Sequence, residues 1–555
     1  MKHLLKHICS FAVAGSMTMV ASAQYPDIPS DVQRSSDSLL NQARIHSDAA
    51  WDAAYAIIKE EAANGKPYVP WAAKPDDLPQ AEIPAFPGAE GGGKYSFGGR
   101  GGRVIVVTNL NDDGPGSFRW ACEQGGARVV VFNVAGIIRI KTPLIIRAPY
   151  ITIAGQTAPG DGVCIAGESV WINTHDVIIR FMRFRRGETW VGRRDDAIGG
   201  NPIGNIMIDH VSASWGLDEN MSMYRHMYND STGKAAEDKL PTVNITIQNS
   251  IFSEALDTWN HSFGSTLGGE NCTFMRNLWA NNAGRNPSVG WYGTFNFVNN
   301  VVANWVHRTM DGSDYRGMFN IINNYYQPGP ATPKDNNVGH RIVKPESGRS
   351  KLKYHVYGRA YVNGNIMEGY PEITKDNWNG GVQVEDLPNA GANMAHMKWN
   401  KPLPMPALTI IPAAEAKQYV LANVGATLPR RDAVDKRITE QVKSNKVTPL
   451  PNVKLPETQF KHRREPIDSY KKGIITDVSQ VGGYPEYKGT PYKDSDNDGM
   501  PDDYEKKAGL NPNNAADAAQ YSKNKSGYTN IEEYLNSVVP VQTVVPAKST
   551  AAKAF

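Results

Sequence analysis

Two stretches of this sequence carry residues whose type and spacing could do chemistry. The first, DSDNDGMPDDYE, occupies positions 494–505. Its carboxylates fall at loop positions 1, 3, 5, 9 and 12, as Asp494, Asp496, Asp498, Asp502 and Glu505, with Gly499 at position 6. Acidic residues alternating along a tight loop converge their oxygens on one point, and a glycine at the sixth place permits the sharp turn. That is the pattern of the twelve-residue calcium loop. A solvated acidic loop is the competing reading, and it leaves the whole pattern to chance. The second stretch is NNAGRNPSVG, positions 281–290, with Arg285 at the lip of a turn. A guanidinium is protonated at neutral pH and can hold a carboxylate through two parallel hydrogen bonds.

These residues need a scaffold, and the sequence around them repeats. Short apolar runs rich in Val, Ile and Thr follow one another from position 103, which favours strands. Four runs superpose without gaps: ITIQNSIF (245–252), CTFMRNLW (272–279), FNFVNNVV (295–302) and FNIINNYY (319–326). The sixth place is Ser250, Asn277, Asn300 and Asn324 in turn, while Asn249 falls one place early. The step of about 23–27 residues is a solenoid period. Asn365 offers a later rung, and 178–184 and 206–212 read as earlier ones. Parallel coils place like residues above one another, so each asparagine amide can bond the next. The helical patterns that a doubly wound α/β fold requires between strands are not found. The chain is therefore expected to be all-β, a single-stranded parallel β-helix over 86–373.

A lead-in over 24–85 precedes it, with one helix at 43–62 whose apolar stripe is Ile45, Ala49, Ala53 and Ile57. The Gly-rich segment 86–102 lacks the Gly-Lys-Ser/Thr ending of a phosphate loop and reads as close backbone packing at the sheet's entry. Residues 374–453, with a helix at 413–422, are expected to pack along or cap the solenoid, whose open end exposes unpaired edges. Residues 454–492 read as a linker, 493–540 as the calcium-loop module and 541–555 as a tail.

The 59 basic and 56 acidic residues leave a net charge of +3, which gives no reason to expect nucleic acid. Lys2, Lys6, an apolar run over 8–20 and the small residues Ala21, Ser22 and Ala23 form an export signal over 1–23, cleaved after Ala23. The run is too short to remain as a membrane span. A secreted monomer without a membrane partner is the expectation. Cys122, Cys164 and Cys272 are too few and too scattered for a disulfide framework; one pair is open to them, and buried free thiols in strands are the favoured reading.

Three segments, GRRDDAIGG (192–200), NIMIDHVSASWGLDENMSMY (205–224) and NNAGRNPSVG (281–290), resemble pectate lyases of polysaccharide lyase family 1 in order and separation, in particular a bacterial branch. The resemblance implies a right-handed parallel β-helix that cleaves α-1,4-polygalacturonate in pectin by β-elimination, giving 4,5-unsaturated products. On that resemblance Arg285 is the base and Pro287 its neighbour. Asp196 is the first calcium ligand, with Asp195 a substitute, and Asp218 is the next. Ser222 stands where the family has a further carboxylate, and Glu219 is the candidate to compensate. The chemistry is coherent. The C5 proton lies next to the uronate carboxylate, the C4 oxygen leaves, and Ca2+ on that carboxylate stabilises the developing charge. An arginine base implies a rate that climbs toward alkaline pH; a carboxylate clamp is the alternative role.

Two family features are missing. A second arginine is replaced by Gly290, and no lysine occurs between Ile251 and Gly284. Arg308, Arg316 and Arg276 are candidates to hold substrate instead, and His261 could reach the cleft from its loop. His210 reads as a buried ladder residue. Trp190, Trp215, Trp259 and Trp291 could stack on sugar faces or pack in the core. The loop at 494–505 resembles the calcium repeats of thrombospondin type 3 and dockerin-like modules. Other functions compete: a β-helix glycoside hydrolase drawing on Asp195, Asp196 and Asp209, a lyase for another uronide such as rhamnogalacturonan, and a non-catalytic pectin-binding protein.

Overall fold

The computed structural model describes residues 28–187, 193–228, 238–290, 292–347, 356–384, 390–451, 453 and 465–540. The strands of the coil pair in parallel with their counterparts one coil later, so the chain winds as a parallel β-helix with three faces, and only Arg225–Tyr228 and Asp238–Pro241, among the described residues, form a separate antiparallel pair of strands. The first face has ten strands, from Arg103–Val107 to Arg359–Asn363, and the second nine, from Gly136–Arg139 to Ile366–Met367. The third is short. Leu144–Ile146, Val170–Ile172 and Ile198–Gly200 form one piece; Thr266–Leu267, Ser288–Val289, Met310–Gly312 and Val343–Pro345 form the other. Parallel bridges from Ile198 to Met221 and from Met223 to Leu267 join the two pieces.

Register follows the superposed runs. Ile245, Cys272, Phe295 and Phe319 stand in one column of the first face. All four belong to the buried core that fills the coil. The asparagine ladder is continuous. The Ser250 N–H donates to Asn277 Oδ1 (2.8 Å), Asn277 to Asn300 (2.9 Å), Asn300 to Asn324 (2.8 Å), Asn324 to Asn365 (2.9 Å) and Asn365 to Asn377 (3.0 Å). The ladder lies in the turn from first face to second. The residue before each rung, Asn249, Arg276, Asn299 or Asn323, is left-handed, with φ between 51° and 56°. Asn249 is off the ladder because it is that left-handed residue, a conformation asparagine tolerates. His210 occupies the same place one coil earlier, stacked 4.6 Å from Phe181 and 2.8 Å from Asp209 Oδ1.

Residues 86–102 cross the outside of the first face at close range. A Cβ on Gly93 would stand 2.0 Å from the Ile206 carbonyl oxygen, and one on Gly99 1.9 Å from that of Arg128. Only glycine permits that approach. The N-terminal helix spans Ser30–Ala63 and presents a different stripe from the one its larger apolar residues suggest. It buries Ala43, Ser47, Ala54 and Ile58, while Ile45 and Ile57 are exposed. Small residues win because the helix backbone closes on the coil: a Cβ on Gly125 would lie 2.6 Å from Ala54 O.

Helices Ala413–Asn423 and Ala433–Ser444 lie along the second face. Val420, Val424, Val434 and Ile438 share one apolar cluster with Ile251, Leu278 and Val301. Asp432 and Asp435 take Arg185 at 2.8 and 2.9 Å. The described part of the segment read as a linker is instead a bound strap: the Tyr484 hydroxyl reaches the carbonyls of Arg185 and Arg186. The last module, with helices Asp502–Ala508 and Asn530–Ser537, sits on the first face near its start, where Met500, Ala518 and Ile531 cluster with Val129, Val131 and Ala154. The three cysteines are buried and unpaired. Among the described residues no helix is long and apolar enough to cross a membrane. The export signal read at 1–23 and the tail at 541–555 lie outside the described residues.

Candidate active site

Every coil passes from the second face to the third through one turn, and these turns stack. Asp195 and Asp196 belong to the turn before Ile198–Gly200, and Asp218 and Glu219 to the turn before Met221. His261 and Phe263 precede Thr266–Leu267, Arg285 precedes Ser288–Val289, and Arg308 precedes Met310–Gly312. Parallel bridges from Glu219 to Phe263 and from Phe263 to Gly284 set the vertical order. Winding thus turns separations of tens of residues into single strand spacings of about 4.8 Å.

Carboxylate oxygens of Asp196, Asp218 and Glu219 lie within 4.8 Å of one another. Arg285 forms an ion pair with Glu219, and its Nη1 is 3.9 Å from Asp218 Oδ1. The Glu219 N–H donates to Asp196 Oδ1 at 3.1 Å, and Thr266 Oγ1 donates to Glu219 Oε1 at 2.7 Å. Ser222 hydrogen-bonds Asp196 and accepts the Thr266 N–H at 2.9 Å, so it supports the acidic cluster while Glu219 joins it. The guanidinium of Arg285 lies 4.4 Å from the centre of the Phe263 ring, and that of Arg308 4.9 Å from the same ring. Such stacking favours a cation over an aromatic face.

Charge is unbalanced here. Burial, then the charges of Glu219 and Asp218, push the Asp196 carboxyl well above the usual range. Burial and Glu219 do the same to Asp218. For Glu219, burial opposes ionisation, but the charge of Arg285 together with hydrogen bonds from Thr266, Asp218 and Arg285 outweighs it, and the carboxyl falls to about 2. Burial pulls Arg285 down, yet Glu219 and Asp218 hold its net value above the ordinary one. Paired in this way, Arg285 gives up its proton less readily than a free arginine does. Three converging carboxylates against one guanidinium fit a hard divalent cation, which would take up the excess charge.

Not every predicted residue meets here. Asp195 is outside the cluster: Arg186 and Arg193 hold it, the latter at 2.8 Å, and Glu168 shares both arginines. His261 is fully buried rather than presented to the cleft, with Nε2 3.2 Å from Asp218 Oδ1, where it positions that carboxylate. Arg308 is at the site, tied to Asp311 at 2.8 Å. Arg316 stands at the other edge of the third face, at the head of Arg316–Ile322, paired with Asp314 at 2.7 Å. Arg276 is in the turn between first and second faces, paired with Glu90 at 2.7 Å. Trp215 is core, and Trp190 and Trp291 lie outside the described residues. At Gly290 the Tyr224 ring fills the space, 2.9 Å from where a Cβ would stand. Phe263 and Thr266 carry no motif, and only their place between the acidic and basic rungs marks them.

In the C-terminal module, Asp494, Asp496 and Asp498 converge, as do Asp498, Glu505 and Asp517. Asp502 does not join them. It accepts the Ser495 N–H at 2.8 Å and pairs with Lys493 at 2.8 Å.

No family model matches the chain. It is 35% identical over 467 residues to a probable pectate lyase C of Aspergillus fumigatus, covering 82% of this chain and 94% of that protein. It is 25% identical over 319 residues to a pectate lyase of Lilium longiflorum, covering 53% and 67%. Among solved structures, Jun a 1, the major allergen from cedar pollen, matches 61% of this chain and 92% of its own with a TM-score of 0.41 at 18% identity. Pectate lyase II from Xanthomonas campestris matches 62% and 100%, with a TM-score of 0.36 at 16% identity. Identity of 35% over nearly the whole length of a relative decides the matter: this chain belongs to the pectate lyase family and is a polysaccharide lyase.

Proposed function

We propose that this protein is an exported, calcium-assisted lyase that cleaves α-1,4-linked polygalacturonate by β-elimination, with Arg285 as the base. One observation carries the reading: Arg285 is ion-paired within a cluster of three converging carboxylates on the stacked turn. In the reaction the C5–H bond breaks, its electrons form the C4–C5 double bond, and the C4–O bond breaks onto the leaving sugar oxygen, which takes up a proton. A bound calcium ion supplies positive charge against the uronate carboxylate and so acidifies C5–H.

The chain's own residues do the rest. Asp196, Asp218 and Glu219 form the cation seat, and Ser222, His261 and Thr266 hold these carboxylates in place. Arg285 must part from Glu219 and lose its own proton to solvent before it can accept the C5 proton, because the pair raises its pKa and keeps it protonated. The rate is expected to climb with pH accordingly. Arg308, on the same Phe263 ring, can clamp a neighbouring uronate. Export rests on the residues at 1–23, and the loop at 494–505 adds a structural calcium site.

A hydrolase needs two carboxyl groups across the scissile bond, about 5–5.5 or 6.5–9.5 Å apart. Of the acids considered for that role, Asp195 is held by Arg186 and Arg193 and Asp209 by Arg180 at 3.1 Å, while the carboxylates beside Asp196, those of Asp218 and Glu219, converge with it on one point rather than standing across a cleft from it. The test is an assay on polygalacturonate, methylated pectin and rhamnogalacturonan, with and without calcium. Product absorbing in the near ultraviolet, on polygalacturonate and with calcium, is expected. New reducing ends without absorbance overturn the reading in favour of a hydrolase. Binding without any product leaves a carbohydrate-binding protein.

A further inference from the structure

The C-terminal module repeats itself, and the two copies have diverged. Positions twenty-eight residues apart share backbone conformation: Asn497 and Lys525 have φ of 58° and 60°, and Gly499 and Gly527 both have φ of 86°. The N–H after each glycine donates to the side chain two places back, Met500 to Asp498 at 2.9 Å and Tyr528 to Ser526 at 3.2 Å. Helices Asp502–Ala508 and Asn530–Ser537 open at matching positions, and Glu505 corresponds to Glu533.

Side chains then part company. The first copy has Asp494, Asp496 and Asp498 where the second has Ser522, Asn524 and Ser526, with Lys523 and Lys525 between them. In the second copy Glu533 is satisfied by protein: Asn524 Nδ2 donates to it at 2.9 Å and the Ser526 hydroxyl donates to the same oxygen. In the first copy Glu505 is fully buried, and neither of its oxygens has a hydrogen-bond partner. Both oxygens of Asp496, Oδ2 of Asp498 and Oδ1 of Asp517 lack one too. Asp498 and Asp517 are also buried, at 2% and 7% exposure. Burying charged oxygens without partners is costly, so these atoms call for a ligand that the side chains do not provide.

Asp517 is the unexpected member. It lies outside the twelve-residue loop, in the connection between the copies. Its Oδ2 accepts the Asn511 N–H at 3.2 Å and its carbonyl accepts Asn530 Nδ2 at 2.9 Å, which leaves Oδ1 for the pocket. Oxygens of Asp498, Glu505 and Asp517 lie within 4.8 Å of one another, and Asp498 also belongs to the group with Asp494 and Asp496.

We propose that the module is a duplicated cation loop holding a single calcium-class ion, that Asp517 closes this site in place of Asp502, and that the copy at 522–533 has replaced its ion with the Asn524–Ser526–Glu533 hydrogen bonds. Carboxylate oxygens alone, on a loop free to adjust, suit a hard cation taking six to eight oxygens. Occupancy would also brace the catalytic coil. The loop lies on its first strands, with Met500 fully buried beside Val129 and Val131 and the Gly499 backbone close enough that a Cβ would stand 2.5 Å from Val131 Cγ2.

This inference deepens the calcium-loop reading of the module and does not depend on the lyase reading. The full-length chain carrying D196N and D218N, which silence the cleft, serves as the reference for terbium luminescence. Tyr492, whose hydroxyl is 3.2 Å from Gly499 O, acts as the sensitiser. One terbium per chain, displaced by calcium, is expected. D517N should weaken binding at least about tenfold, since ligand charge count sets affinity in such loops, while D502N and E533Q should stay within about twofold. Melting in chelator reports folding: D517N should melt with the reference there and lose the upward shift on adding calcium. Two ions per chain, or D502N abolishing binding while D517N does not, overturns the proposal. If E505Q binds terbium as the reference does, the calcium-loop reading itself fails, whatever the outcome of the polygalacturonate assay.

Discussion

The stacked turn that carries Arg285 and the C-terminal module both gather carboxylates in a buried place, but they answer the charge differently. In the turn the protein supplies a counter-charge, Arg285 on Glu219, and hydrogen bonds from Thr266 and Ser222. In the module Lys493 goes to Asp502, and the oxygens of Glu505 and Asp496 are left without hydrogen bonds. On the proposed function, the turn that would meet and release substrate has a cation of its own in Arg285. A module without such a cation would couple its folding to the ion proposed for it. The first design favours turnover, the second rigidity.

The largest expected effect separates the two seats directly. R285A should lower kcat on polygalacturonate by about 10²–10⁴-fold, the usual worth of a positioned acid–base group, with the calcium-induced rise in melting temperature intact. Loss of both together would make Arg285 a structural residue and erase the contrast. The converse variant, E505Q, should remove the module's share of the calcium-induced stabilisation, about 2.7 kcal/mol at a hundredfold excess over that site's Kd, while kcat at low temperature holds. Denaturant melts with and without calcium, run beside the rate assay, would check it.

Acid sharpens the comparison through carboxylates that protein groups do pair. Burial works against ionisation of Asp209 and Asp432, but His210 and Arg180 in one case, and Arg185 and Arg183 in the other, hold each below the usual range. The unfolded chain then binds more protons near pH 4. Their stabilisation is complete above an ordinary carboxylate pKa of about 3.9 and is lost as pH falls below it, at roughly 1–3 kcal/mol per group. D432N should flatten that acid limb in urea unfolding curves recorded between pH 5 and 2. The smallest effect belongs to R308A, expected to raise KM about tenfold with kcat nearly unchanged, as loss of one charged hydrogen bond would. A fall in kcat alone would move Arg308 from holding substrate to the chemistry.

Much of this molecule is legible in the chain because a solenoid repeats its own constraints. Asn277, Asn300 and Asn324 recur in register, and the structure stacks them amide to amide. Asp196, Asp218, Glu219 and Arg285 can be picked out by motif, and the winding brings them together. Choices between near neighbours are not legible in that way. Asp195 and Asp196 are adjacent, and the fold turns one of them toward Arg186 and Arg193 and the other toward Glu219. Ile45 and Ile57 look like a buried stripe until the tight approach to Gly125 selects the alanine face. Phe263 looks like any core residue until two guanidiniums stack on it.

What is local or periodic can be read from the chain alone: the coil, its ladder, the loop at 494–505 and the acids and arginine of the stacked turn. Those features repeat at short range, so residue type and spacing suffice. Only the tertiary structure decided which acid joins each seat, Asp196 over Asp195 and Asp517 over Asp502. The physical reason is that a carboxylate goes to whichever cation or donor the folded chain brings within about 3 Å, and Arg193 and Lys493 reach Asp195 and Asp502 first.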